Sequence, residues 1–150
     1  MTAAYIPEGV SIIGNYAFYN SKIQKLTIPT SVSQLGNYAF SQCYQLQEID
    51  YGASALENTS SSSNVFSLPS TNNVSLSTKL IIRSNVKKIT DYLFYNMYYL
   101  TNIEFENGAN GIKFGANAFS ETTRISKVEI DRIENWLSFT FANQFSNPIS

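Results

Sequence analysis

Apolar residues recur along this chain in one fixed frame. Phe18, Ile23, Leu26 and Ile28 are followed by Phe40, Leu46, Ile49 and Tyr51, then by Phe94, Leu100, Ile103 and Phe105, then by Phe119, Ile125, Val128 and Ile130. The offsets are 5-3-2 in the first copy and 6-3-2 in the other three. The last two members of each copy enclose one polar residue, the alternation of a half-buried strand. The pattern predicts short strands near 26–28, 49–51, 80–82, 103–105 and 128–130, stacked in parallel as one narrow sheet, with a partial first rung at Ile6. Pro7 and Pro29 follow directly, where a fixed φ and a missing N–H end a ladder and start a turn. A second apolar edge runs Ile6, Val10, Ile13, Gly14, then Ile28, Val32, Leu35, Gly36, then Ile82, Val86, Ile89, Thr90. Between the edges, Gly14-Asn15-Tyr16-Ala17-Phe18 returns 22 positions later as Gly36-Asn37-Tyr38-Ala39-Phe40. That segment suits one 3₁₀ or α-helical turn per coil. Phe18, Phe40, Phe94 and Phe119 should then form a buried stack, with Tyr16, Tyr38 and Tyr92 in a column at the surface.

Strand ends are 22, 23, 31, 23 and 25 residues apart at Ile6, Ile28, Tyr51, Ile82, Phe105 and Ile130. A period of 20–29 residues with leucine-type positions marks a leucine-rich-repeat solenoid, in which one coil buries its apolar face only by stacking on its neighbours. The fold read from the pattern is an α/β repeat: a right-handed solenoid of short parallel strands, turns and short helical segments with little α-helix. Residues 1–150 form a single segment of it. Neither end shows a polar cap, so the segment reads as part of a larger protein with further repeats or domains of the same chain beside it. The one break in rhythm is a Ser/Asn-rich coil at about 52–79. It has no Ala-Phe signature, and residues 58–64 should be a mobile surface loop, with Val65, Phe66 and Leu68 turned back onto the core. Asn58-Thr59-Ser60 and Asn73-Val74-Ser75 fit the N-glycosylation pattern. After Ile130, Trp136, Leu137, Phe139 and Phe141 crowd into the region of the next turn.

Composition narrows the chemistry. The chain is 43% apolar, enough for a continuous core at this length. Ten Lys and Arg against eleven Asp and Glu give a net charge of -1, so no long-range field favours nucleic acid. No run approaches the ~18 apolar residues of a membrane span, so no membrane insertion is expected. The absence of histidine removes the Ser-His-Asp and Cys-His pairs and the commonest metal ligand. No cofactor or metal is expected. The single cysteine, Cys43, sits three residues after Phe40 and should be a buried small thiol.

At this point the residues resemble a known family. Ile28-Pro29, Val32, Leu35-Gly36, Ala39-Phe40, Cys43, Leu46 and Ile49 stand where the BspA-like, or Treponema pallidum type, leucine-rich repeat has its signature residues. The resemblance covers about residues 4–52 and 80–131. The Ser-rich coil departs from it, and Asn20-Ser21 has one residue fewer than the family spacing. It implies a large surface-exposed or secreted protein involved in adhesion to matrix proteins, cells or other surfaces.

Strand alternation places two columns on the open sheet face. The first is Lys25, Glu48, Lys79, Asn102 and Lys127, alternating in sign for most of its length. The second is Thr27, Asp50, Ile81, Glu104 and Glu129. Lys25, Thr27, Glu48, Asp50, Glu104, Lys127 and Glu129 are the candidate binding face, with the carboxylates first among them. Tyr19, Tyr44, Tyr95, Tyr98 and Tyr99 are candidate exposed aromatics on the turn side. The function expected is a non-catalytic extracellular or cell-surface module that binds a protein or glycan on a surface. A structural spacer or stalk is the alternative. A carboxylate-based hydrolase using Glu104 and Glu129 is a third reading, for which an open sheet is a poor place to exclude water.

Overall fold

A computed structural model describes residues 2–57, 59–68 and 75–150. One edge of the coils carries six strands, β1 (Ala3–Tyr5), β3 (Lys25–Ile28), β5 (Glu48–Tyr51), β6 (Thr78–Ile82), β8 (Leu100–Phe105) and β10 (Lys127–Glu129), and in β3, β5 and β6 buried side chains alternate with half-buried ones. The six strands pair in that order as one parallel sheet. Each follows the predicted frame within two or three residues, and the partial rung at Ile6 is β1. The chain is thus a parallel β-solenoid of about six turns with very little helix.

The second apolar edge carries shorter strands. β2 (Ile12–Ile13) pairs with β4 (Gln34–Leu35), and β7 (Lys88–Ile89), β9 (Lys113–Phe114) and β11 (Thr140–Phe141) form a separate three-stranded ladder. Gly36 lies where this edge turns. A Cβ there would stand 2.3 Å from the Asn15 backbone nitrogen, so only glycine allows the two coils to approach.

The phenylalanines form the spine of the stack, and it has five members rather than four. Ring centroids follow at 5.2 Å from Phe18 to Phe40, 5.4 Å to Phe66, 5.7 Å to Phe94 and 5.3 Å to Phe119. Phe66 belongs to the long coil, which has Val65-Phe66 in place of an Ala-Phe signature. Asn64, Val65 and Phe66 there stand for Tyr38, Ala39 and Phe40, with Asn64 and Tyr38 sharing a left-handed backbone. The long coil is therefore a rung. Its additional length does not disturb the main sheet: β5 and β6 pair in register from Glu48↔Lys79 to Tyr51↔Ile82, and a register shift between Thr78 and Lys79 absorbs the irregularity against β8. Val65 and Leu68 are buried as expected. Of the segment expected as a mobile loop, Asn58 lies outside the described residues, as does Asn73. Ser60 and Ser63 close a hydrogen-bonded turn, and the Ser63 carbonyl accepts from the Tyr38 amide at 2.8 Å.

The helical turn expected in each coil is built differently. Residues two before and two after the phenylalanine are left-handed: Tyr16 and Asn20, Tyr38 and Gln42, Tyr92 and Asn96, Asn117 and Glu121. This geometry prevents a continuing helix and sends alternate amides along the stack. Tyr16, Phe18 and Asn20 donate to Asn37, Ala39 and Ser41 of the next coil, while Ala17, Tyr19 and Ser21 donate locally to Gly14, Tyr16 and Phe18. The same three rungs of bonding follow from Tyr38, Phe40 and Gln42 to Ser63, Val65 and Ser67, and from Tyr92, Phe94 and Asn96 to Ala116, Ala118 and Ser120. From Tyr16 to Asn20, Tyr38 to Gln42 and Tyr92 to Asn96 each amide is thereby satisfied without a helix.

Among the described residues, helix appears only near the C-terminal end, as α1 (Ile133–Leu137) and a 3₁₀ turn at Gln144–Ser146. The aromatic crowding seen there resolves into one cluster. Phe139 packs at 5.0 Å on Phe105, Phe141 stacks at 5.0 Å on Phe114, and Trp136 meets Phe105, Phe139 and Phe141. No helix of the described residues is long and apolar enough to cross a membrane.

Candidate functional site

Pairing in register produces the two columns on the sheet face. Lys25, Glu48, Lys79, Asn102 and Lys127 are successive partners, as are Thr27, Asp50, Ile81, Glu104 and Glu129. Ala3 and Tyr5 extend the columns onto β1, and Tyr5 is exposed.

The carboxylates of this face do not form an unbalanced acidic stripe. Lys25 bonds Glu48 at 3.1 Å across the strands, as its column predicts. Asp50 accepts two parallel bonds from Arg83, both 2.7 Å, in a bidentate pair. Lys79 reaches diagonally to Glu104, and Lys127 turns along its own strand to Glu129 at 2.8 Å. Hydrogen bonding to these carboxylates raises the pKa of the Lys79 ammonium and the Arg83 guanidinium, and the Lys127 bond lowers that of Glu129. Four cations therefore face four anions. Such a mosaic orients a partner but exerts little pull from a distance. Arg83 was not among the residues singled out in the sequence, although it left a signal: it stands after β6 where Pro7 and Pro29 follow β1 and β3.

Glu104 and Glu129 are partners in register, the arrangement a two-carboxylate hydrolase would start from. Each instead has its own lysine, and the hollow they share with Phe105, Asn107, Ile130 and Asp131 is open to water. Just beyond the strands, Glu106 accepts from the Ser84 amide and hydroxyl at 2.7 and 2.8 Å, and Asp131 accepts from Asn135 and from the Gly108 amide. These bonds hold both carboxyls below their ordinary range. They tie successive coils together rather than leaving a free acid or base.

On the turn side the tyrosines divide. Tyr19 and Tyr44 are exposed, at 41% and 42%. Tyr95 and Tyr98 are half-buried, the first edge-on to Tyr92 and the second edge-on to Tyr99. Tyr99 is not a surface residue: it is 1% exposed, and its hydroxyl donates to the Phe66 carbonyl. Thr78, paired with Leu100, adjoins it, and the Thr78 amide donates to the Tyr99 carbonyl at 3.0 Å. The predicted column of Tyr16, Tyr38 and Tyr92 is also interrupted. Tyr16 and Tyr38 stack at 5.3 Å, but Asn64 holds the next position and separates them from Tyr92.

Those two rings border a feature the sequence did not reveal. With Tyr19, Gln42, Asn64 and Asn96 they line an open cleft of about 450 Å³. Cys43 is buried as expected, with Sγ 3.3 Å from the Ser21 hydroxyl and 3.2 Å from the Phe18 carbonyl. Burial raises its pKa, which leaves the thiol protonated and unreactive.

Comparison with known proteins gives one match. No curated protein and no solved structure matches the chain. The model of the BspA type leucine rich repeat region matches in six copies, over residues 1–81 and 69–148. Leucine-rich repeats of this kind are generally non-enzymatic binding scaffolds, often surface-associated. The family's repeat and the observed solenoid have the same count of about six, and the chain belongs to the BspA-type leucine-rich-repeat family.

Proposed function

We propose that this chain is a non-catalytic extracellular or cell-surface recognition module that adheres to a protein or glycan on another surface. The observation that carries the reading is the presentation of half-exposed side chains in register on a continuous stack, with an aromatic spine beneath them. Weak contacts repeated at fixed spacing gain strength through effective concentration, so modest affinity per coil suffices when many coils act together. Further repeats or domains of the same chain, stacked at β1 or β10, would extend the same rows. Catalysis is disfavoured by chemistry: the chain has no histidine, and the sheet carboxylates Asp50, Glu104 and Glu129 are each neutralised by a neighbour.

The test is a binding screen of the multimerised chain against matrix proteins, mucins and surface glycans. Asp50→Lys, Glu104→Lys and Glu129→Lys together convert the balanced sheet face into a strongly positive one. A ligand held by the sheet should be lost in that variant, and a ligand held by the turn side should be retained. Binding to nothing would favour a structural spacer or stalk.

A further inference from the structure

Resting on the recognition reading, we propose that the cleft bordered by Tyr16, Tyr19 and Tyr38 binds an uncharged sugar unit of a surface glycan. Four observations converge on it. The first is backbone cost. Tyr16 and Tyr38 have φ of 57° and 56°, a conformation that favours glycine or asparagine. The corresponding positions of two other coils hold Asn64 and Asn117. The fold thus accepts the better-suited residue here, and stacking requirements alone do not call for tyrosine.

The second observation is preorganisation. Tyr16 and Tyr38 stack at 5.3 Å with 12° between their planes, and Tyr19 meets Tyr16 edge-on at 5.5 Å. The Tyr16 and Tyr38 amides donate to the Asn37 and Ser63 carbonyls of the next coil, which anchors the backbone beneath the stacked pair. Tyr16 nevertheless remains 55% exposed. Rigid, half-open aromatic rings offer the flat apolar surface on which the C–H face of a pyranose packs.

Third, the rim supplies uncommitted hydrogen-bonding groups. Among the described residues, none hydrogen-bonds the side-chain amides of Gln42, Asn64 and Asn96. Each amide both donates and accepts, which matches the paired donor and acceptor character of sugar hydroxyls. Fourth, among the described residues the lining contains no Asp, Glu, Lys or Arg. Sialylated or sulfated sugars would find no cation there, so the chemistry selects neutral ones. The cleft volume of about 450 Å³ falls within the range of small-ligand sites, about 300–1,000 Å³.

The experiment uses the multimerised chain on an array of galactose- and N-acetylglucosamine-terminated oligosaccharides, their sialylated and sulfated counterparts, and matrix proteins. Tyr16→Asn and Tyr38→Asn place in the cleft the residue that other coils already carry, so both should fold with unchanged or higher melting temperature. The expected result is binding to neutral oligosaccharides, weakened about tenfold or more by either substitution and largely retained by Tyr16→Phe. Neutral-glycan binding that survives both Asn substitutions would overturn the cleft while leaving the recognition reading intact. Binding to matrix proteins or charged glycans alone would also overturn it and leave that reading intact. Binding to none of the arrayed molecules would overturn both.

Discussion

Tyr51 and Tyr99 are two buried tyrosines with opposite accounts. Tyr99 donates its hydroxyl to the Phe66 carbonyl, whereas the Tyr51 hydroxyl has no hydrogen-bond partner among the described residues. An unmet buried polar group costs desolvation with nothing in return, while a met one protects its partner. Tyr51→Phe should therefore be neutral or stabilising by up to about 1 kcal/mol, and Tyr99→Phe destabilising by about 1–3 kcal/mol. Urea denaturation of the two variants checks the contrast; equal losses would contradict it. Tyr51 could be placed from sequence because it shares a frame position with Ile28, Ile82 and Phe105. Tyr99 could not, since nothing local distinguishes it from its half-buried neighbour Tyr98. Its burial depends on the Phe66 carbonyl, 33 residues away in sequence.

The coil is the element of this fold, and the least regular coil tests how far its frame extends. Phe66 lies 26 residues after Phe40 and 28 before Phe94, with Asn64 and Val65 replacing the Tyr-Ala that mark other copies. Both changes hid the rung from a reading based on motif and period, while the strands on either side remained legible from alternation alone. The turns were misread for a related reason. Left-handed backbone usually announces itself through glycine, but here it falls on Tyr16, Tyr38, Gln42 and Glu121. Phe66→Ala should cost about 3–5 kcal/mol, as should Phe40→Ala, because each opens a cavity in the same spine. A disposable surface loop would make the first substitution silent in a denaturation curve.

Coils are also tied to one another by carboxylates, and this gives the stack an acid limit. The Ser84 amide and hydroxyl bonds hold the Glu106 carboxyl below its ordinary value of 4.5. Because the folded pKa is the lower one, the stabilisation is complete above the unfolded value and is lost as pH falls through the folded value. Melting temperature should thus decline below about pH 4. Glu106→Gln, which keeps an acceptor but not the charge, should show a shallower decline over that window. An identical acid limb in wild type and variant would remove this tie from the account.

At the scale of the whole molecule, recognition by repeated weak contacts requires the rows of side chains to keep their spacing along the full stack. That depends on the long coil transmitting order rather than hinging. The sheet columns and candidate carboxylates were legible from strand period, because in-register parallel pairing turns sequence offsets directly into neighbours. Their neutralisation was not, since Arg83 and Lys79 reach their partners from outside the column or across its diagonal. The tyrosine cleft was illegible for the same reason, being assembled from coils whose register is fixed only by the ladder on the turn side.

Continuity through the long coil is tested most directly by native-state hydrogen exchange at Tyr38, Phe40 and Gln42, whose amides donate to Ser63, Val65 and Ser67. The reference amides are Tyr92, Phe94 and Asn96, which donate to the regular coil beyond them. An unbroken stack predicts equal protection in the two sets, both exchanging through the same cooperative opening. Rapid exchange at Tyr38, Phe40 and Gln42 beside strong protection at the reference amides would show a hinge in the middle of the molecule and contradict the account.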